Sequence, residues 1–238
     1  MSDGVHQFAE KHYRDKLFHL LTPATEWLDL GCGYQLLPGW LKNSREDQAY
    51  LAQRCKRLVG ADRVSQDILK HPFLHGGVTC NLHHLPFRDN SFSLLTARSV
   101  IEHIEHPESF LREAARVLVP GGLLLFATPN LLYYQCLAAS VTPASLKKRM
   151  VRHLEGRAEN DVFKTYYRLN MPSIVRKLAD RVGLEIDSVE TIECLPEFSR
   201  LGRPVVELEK TVTRVLRNSW FEPFRAVIVA LLRKPALE

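Results

Sequence analysis

Apolar and polar positions alternate along the chain in two rhythms, and their succession predicts the elements. Tyr13, Leu17, Phe18, Leu20 and Leu21 recur at helical spacing over His12 to Leu21, and Pro23 closes that helix. Glu26-Trp27-Leu28-Asp29-Leu30 then reads as a short strand running into Gly31-Cys32-Gly33. Leu58 to Ala61 predicts a second strand that ends at Asp62, Gly77 to Cys80 a weaker third, and Ser91 to Ala97 a fourth. A helix opens at Pro107-Glu108-Ser109, with Phe110, Leu111, Ala114, Ala115, Val117 and Leu118 on one face. Pro120-Gly121-Gly122 is expected to stop it, because proline lacks an N–H and glycine accepts positive φ. Leu123 to Thr128 is apolar throughout, as a strand buried on both faces should be. The rhythm breaks from Leu131 to Asn170, then resumes with a helix over Ser173 to Val182 and a strand over Leu184 to Ile192. A further helix over Val205 to Leu216 and a last strand over Phe224 to Leu232 complete the pattern. Strands alternating with helices argue for an α/β fold with a mostly parallel sheet.

Composition sharpens this only a little. The 238 residues suit one α/β domain with an elaboration, and 45% hydrophobic with 25% charged residues excludes wholesale disorder. A formal net charge of +5 fits an acidic small molecule or an anionic surface, but is too weak to argue for nucleic acid. The longest apolar run, Ala226 to Leu232, falls far short of the roughly 20 residues a bilayer crossing needs, so no transmembrane segment is expected. Met1 to His6 lacks the order of a signal peptide, and the five cysteines (32, 55, 80, 136, 194) form no Cys-x-x-Cys pair. A reducing cytoplasmic location without disulfides or structural zinc is the expectation.

The informative element is Leu28-Asp29-Leu30-Gly31-Cys32-Gly33. A strand there delivers the chain to a turn with alternating glycines, where a ligand can lie against bare backbone and a following helix start would offer free N–H groups. Open α/β sheets bind ligands at this edge. Asp29 would repel a pyrophosphate and welcome an ammonium group. Asp62, ending the second strand, could accept both hydroxyls of a ribose, since a carboxylate is acceptor-only; taken alone, it could equally cap a helix or turn. The dinucleotide fingerprint wants a third glycine where this chain has Leu36, or Gln35 in a tighter spacing.

Four blocks, in order, resemble the class I S-adenosylmethionine-dependent methyltransferases, in particular the small-molecule branch of ubiquinone and glycan pathways. They are Trp27 to Gly33, Val59-Gly60-Ala61-Asp62, Leu85-Pro86-Phe87-Arg88-Asp89-Asn90-Ser91-Phe92, and Arg112 to Gly122 leading into Leu124 to Asn130. The resemblance implies a Rossmann-like, doubly wound, mostly parallel seven-stranded sheet with an antiparallel last strand. It implies a single domain from residues 1–130 and 171–238, with 131–170 as a helical insertion over the acceptor. It also implies S-adenosyl-L-methionine as cofactor. Asp29, Gly31, Cys32 and Gly33 would then shape the pocket for its methionine end, and Asp62 would hold the ribose. Arg63 would flank the adenine, Asn81 and the N–H of Leu82 would meet its edge, and Arg98 would lie under the sulfonium. Asn81 replaces an aspartate frequent in the family, and Ser93 another.

His103, in Val100-Ile101-Glu102-His103, is the candidate catalytic residue. It could take a proton from a hydroxyl acceptor, or it could pack beneath the cofactor. His106 suggests a metal with it, but no third ligand is apparent and none is expected. Within the insertion, Tyr134, Tyr166, Tyr167 and Arg168 are the candidate acceptor-binding residues, the tyrosines as flat walls and the arginine as a grip on an anion. Tyr133, Arg149, Arg152 and Arg157 share that segment. Core packing or solvation is the plainer alternative for all of them. Trp220, Phe221 and Phe224 could extend the apolar face of the helix over 205–216 into a homodimer interface. The expected partner is a small-molecule acceptor, with no nucleic acid, since no Asn/Asp-Pro-Pro-Tyr block follows the fourth strand. A nicotinamide-dependent oxidoreductase lacks its third glycine and its Tyr-x-x-x-Lys here, and a catalytically silent scaffold retaining the fold is the remaining alternative.

Overall fold

The computed structural model describes residues 7–39, 41, 43–134, 136–137, 164–193, 207, 211–212, 214–216 and 218–236. In chain order the elements are α1 (Gln7–Leu20), β1 (Glu26–Leu30), α2 (Ser44–Gln53), β2 (Arg57–Asp62), α3 (Ser65–Lys70), β3 (Gly76–Thr79) and β4 (Phe92–Arg98). A 3-10 turn (Ile101–His103), α4 (Pro107–Val117), β5 (Leu118–Pro129), α5 (Pro172–Arg181), β6 (Glu185–Ile192), a second 3-10 turn (Ser219–Phe224) and β7 (Val227–Arg233) follow. They build a seven-stranded sheet of order β3-β2-β1-β4-β5-β7-β6. The ladders from β3 through β5 are parallel, and β7 runs antiparallel to both β5 and β6.

Alternate residues of the central strands feed two cores. Leu28, Leu30, Leu95, Ala97, Leu124 and Phe126 face α4 and α5, which answer with Phe110, Leu111, Ala114, Val175 and Ala179. Trp27, Leu94, Leu125 and Val229 face the other way, against Tyr13, Leu17 and Leu21 from the first helix and Leu51 from α2. Each leucine, valine or phenylalanine among them contributes roughly 1.5–3 kcal/mol on burial, which fixes the register because a one-residue slip would exchange the two faces. The strand order reverses between β1 and β4, so their carboxyl ends diverge and leave a crevice.

The expected strands are present, and several details differ. The first helix begins at Gln7, ahead of His12. α2 and α3 were not signalled by periodicity: α2 buries Ser44 and Gln48 beside Leu51 and Ala52, and α3 buries nothing. Helix α4 ends at Val117, before Pro120, because Leu118 already adopts extended backbone and pairs with Phe92. Pro120 to Gly122 instead form a bulge within β5, where the register jumps to Leu94 opposite Leu123. Gly121, at φ 76°, donates its N–H to the Lys234 carbonyl, while the Lys234 N–H returns to Gly122. The last strand starts at Val227, since 219–224 wind into a 3-10 turn that leaves Trp220, Phe221 and Phe224 exposed. Most of the insertion, residues 135 and 138–163, and half of the expected helix over 205–216 lie outside the described residues. Among the described residues, no helix is long and apolar enough to cross a membrane.

Candidate active site

The crevice is built first by the glycine turn. Gly31 has φ 66°, and a Cβ there would meet Val100 Cγ2 at 2.2 Å. Gly33 has φ 52°, and a Cβ there would have nothing within 4 Å, so this stretch of backbone faces open space. No helix follows the turn directly, contrary to the expected free helix start: α2 begins only at Ser44. The turn is instead tied to the end of β2. Gly31 N–H donates to the Ala61 carbonyl at 2.6 Å, and Gly33 N–H donates to Asp62 Oδ2 at 2.9 Å. Asp62 Oδ1 accepts the Val64 N–H at 2.9 Å. Each carboxylate oxygen thus holds one protein donor and retains acceptor capacity for another. The Cys32 thiol is buried against Gly60, and that burial pushes it up, so the residue offers the crevice only its backbone.

Below the turn lies a buried polar network. Trp27 Nε1 donates to Thr96 Oγ1 at 2.7 Å, and the Thr96 hydroxyl donates in turn to Asp29 Oδ1 at 2.5 Å. Burial pushes the Asp29 carboxyl up to about 7, against the lowering effects of the Thr96 hydrogen bond and Arg98. Arg98 donates from Nε to the Leu36 carbonyl at 3.2 Å and pairs through Nη1 with Glu10 at 3.4 Å. Its guanidinium therefore links the loop beyond the glycines to α1. The Tyr13 phenol sits fully within the same network, pushed up by burial and by Asp29. Glu10 Oε2 is buried and has no hydrogen-bond partner.

On the β3 side, Leu82 is buried, while Asn81 and Arg63 are exposed. Asn81 Oδ1 accepts the His83 N–H at 3.1 Å, a local turn that leaves the oxygen a further lone pair. The His83 and His106 rings lie 5.7 Å apart, and His83 is held below its ordinary range by burial and by His106.

Beyond β4, the residues expected at the acceptor side divide into two groups. His103 Nδ1 lies 3.0 Å from the Lys164 carbonyl, which can only accept. A neutral His103 is therefore protonated at Nδ1 and carries its lone pair on Nε2. The Glu102 carbonyl accepts the N–H groups of Tyr166 and Tyr167 at 2.7 and 3.2 Å. Tyr166 Oη donates to Glu105 Oε2 at 3.0 Å, and Arg168 Nη1 to the Glu105 carbonyl at 2.8 Å. Tyr134 belongs elsewhere: it is 40% exposed and its ring lies 4.6 Å from that of Tyr133, tilted by 56°, and Tyr133 packs with Ala9 and Ala226. Among the described residues, no group of His, Cys, Asp or Glu suits a metal ion.

Sequence reasoning missed Glu10, Tyr13, Thr96, Thr128 and Asn170. The buried Glu102 carboxyl accepts from Thr128 at 3.2 Å, and Asn170 donates to Thr128 at 2.7 Å. Burial pushes Glu102 up. Thr96 carried one signal, a hydroxyl amid the apolar run Leu94-Leu95-Thr96-Ala97.

Fold and crevice together define a Rossmann-like α/β protein with an open glycine turn at the carboxyl edge of its sheet. Two family models, each of a methyltransferase domain, match residues 28–126 and 78–180, and the chain carries a class I S-adenosylmethionine-dependent methyltransferase domain. It is 31% identical over 129 residues to the ubiquinone/menaquinone biosynthesis C-methyltransferase UbiE of Neisseria meningitidis, covering 52% of this chain. The match spans about half the length of that relative, 50%. Among solved structures, the fold is similar to an S-adenosylmethionine-dependent methyltransferase from Mesorhizobium loti (TM-score 0.55, 17% identity, covering 92% of this chain and 96% of that one). It is also similar to the cyclase SpnF (TM-score 0.58, 14% identity, 96% and 82%). S-adenosylmethionine, the donor this family implies, fits the residues present. Asp62 can still accept hydroxyls, Gly33 leaves room for a ligand against its backbone, and the buried Asp29 carboxyl lies beneath the turn.

Proposed function

We propose that the protein transfers the methyl group of S-adenosylmethionine to oxygen or carbon of a small-molecule acceptor, an anionic or glycan-related metabolite. The observation that carries this reading is the Asp62 carboxylate, held at 2.9 Å by the Gly33 N–H at the carboxyl edge of the sheet. That geometry presets a pair of acceptors beside bare backbone, as a ribose diol requires. When bound, the cofactor supplies a sulfonium methyl that needs no protein nucleophile: the S–C bond breaks as the acceptor–C bond forms, and the electron pair stays on sulfur.

The chain's own task is alignment, which can lower the barrier by roughly 7–11 kcal/mol. Asp62 and the turn at 31–33 fix the nucleoside end, and Asp29 faces the methionine end. Asn81 and Leu82 border the adenine edge, with Arg63 on its outer side. His103 Nε2 takes the proton a hydroxyl acceptor loses, and the Lys164 carbonyl orients the ring by accepting from Nδ1–H. Residues 131–170 form the acceptor lid in this reading, with Tyr166, Tyr167 and Arg168 brought to it by the Glu102 and Glu105 carbonyls.

Titration calorimetry tests the cofactor. S-adenosylhomocysteine should bind and NAD should not, and Asp62→Ala should weaken binding at least about 100-fold, the loss of two charge-assisted hydrogen bonds. Equal affinity in the Asp62→Ala protein, or NAD binding as tightly, would overturn the reading.

A further inference from the structure

A small satellite core closes the carboxyl edge of the sheet where β5 ends and β7 begins. Ala9, Tyr133 and Ala226 form it, with Cys136, Ile192, Leu216 and Val227 packed against them. Their chain neighbours face water. Trp220, Phe221 and Phe224 lie on the 3-10 turn that leads to Ala226, and Val215 precedes Leu216; all four are exposed, Trp220 by 84%. Tyr134 and Leu137, which follow Tyr133 and Cys136, are exposed as well.

The turn is pinned at its base. The buried Asn130 donates from Nδ2 to the Pro223 and Arg225 carbonyls at 2.8 and 2.7 Å, and Thr191 Oγ1 donates to the Glu222 carbonyl at 2.6 Å. Asn218 Oδ1 accepts the Trp220 N–H at 3.1 Å and caps the turn. These bonds hold the backbone in place and leave the three aromatic side chains to solvent. A cluster of large apolar side chains on a fixed turn marks a surface that meets a partner.

Charge identifies the partner. Residues 131–170, the segment that contains Tyr134 and Leu137, hold seven Lys or Arg against three Asp or Glu, so they carry +4 of the chain's +5. Lys210, Arg214 and Arg217 stand between Glu209 and the aromatics, and Glu222 is the acid within the turn. Aromatic rings with cations close by in the chain suit an anionic bilayer, where the rings enter the acyl boundary and Lys and Arg meet phosphates. A second copy of this chain would set the same positive segments against each other, which like charges oppose.

We propose that the aromatic turn at 219–224 docks the protein peripherally on an anionic lipid surface. The contact lies at the edge of the sheet where the crevice opens. The inference is independent of the cofactor reading, since no step of it uses the glycine turn or Asp62.

Vesicle flotation of the whole chain tests this. The probes are vesicles of phosphatidylcholine alone and of equal parts phosphatidylcholine and phosphatidylserine. The parent should float with the mixed vesicles and not with phosphatidylcholine alone, and added salt should release it. Trp220→Ala combined with Phe221→Ala should lower the bound-to-free ratio on mixed vesicles by at least about tenfold, through lost apolar contact. Both residues are exposed, so a thermal melt matching the parent's shows that this variant is folded. Trp220→Phe should float as the parent does but lose the blue shift of tryptophan emission that mixed vesicles induce. Absence of the parent from mixed vesicles, equal flotation on phosphatidylcholine alone, or undiminished binding of the double variant overturns the inference. So does a parent dimer in sedimentation velocity that binds no vesicles and that the double variant dissociates, which gives the patch to a second copy of the chain.

Discussion

Asp29 is a carboxyl group whose charge the fold resists. It lies under the glycine turn, only 7% exposed, with a single hydroxyl donor from Thr96 and a guanidinium nearby. Water would stabilise the carboxylate better, so the folded state holds the proton up to about 7 against 3.8 for the free side chain. Between those values the folded protein binds more protons than the unfolded chain, so stability declines as pH rises through that window. The contribution is complete below about pH 4 and lost above about pH 7. Asp29→Asn keeps the shape and the acceptor for Thr96 but cannot ionise. The variant should therefore gain stability relative to the parent between pH 5 and pH 8, as measured by urea unfolding at both. A constant difference across that range would show that Asp29 ionises normally.

At the scale of elements, the two family-like blocks at 85–92 and 112–122 meet through one side chain. Arg116 of α4 donates to the carbonyls of Leu85 and Phe87, each at 2.8 Å, and pairs with Glu113 and Asp89. Glu113 in turn accepts the Leu85 N–H at 2.8 Å. The loop leaving β3 is thereby clamped to the helix that follows β4, which holds Leu82 and Asn81 at the sheet edge. The guanidinium fork fits both carbonyls at once, and an ammonium cannot. Arg116→Leu should cost about 1–2 kcal/mol, with the exposed Asp89 pair discounted for solvent screening. Arg116→Lys should recover little of that loss. Chemical denaturation of the three proteins checks this, and full rescue by lysine would mean that charge alone holds the loop.

At the scale of the molecule, α1 is the brace. It pairs with α2 through Arg14 and Asp47, with β6 through His12 and Lys16 on Glu190, and with β4 through Glu10 and Arg98. The sequence made the helix itself legible, since Tyr13, Leu17 and Leu21 mark its buried stripe. Strands β1 to β5 were legible for the same reason, as runs that two helical layers must cover. The Gly31–Gly33 turn and Asp62 were legible because so few residue types fit those positions. The partners of α1 were not: Glu190 stands 178 positions from His12, and periodicity carries no information across such a separation. Nor could α2 be read, because it turns Ser44 and Gln48 inward for each other and for the Leu36 N–H.

This distribution of contacts predicts how the protein opens. The centres of β4 and β5 are covered on both faces, whereas α1 is held by one stripe and by partly exposed ion pairs, so its amides should exchange faster. Tyr13 and Glu10 of α1 sit with Arg98 in the network beneath the glycine turn, so a cofactor that binds only the closed protein must suppress that opening. At a concentration 100 times its dissociation constant, S-adenosylhomocysteine should slow exchange of α1 amides by up to about 100-fold. Hydrogen exchange read by mass spectrometry checks this: protection of the turn without protection of α1 would mean that the first helix is scaffold and takes no part in the bound state.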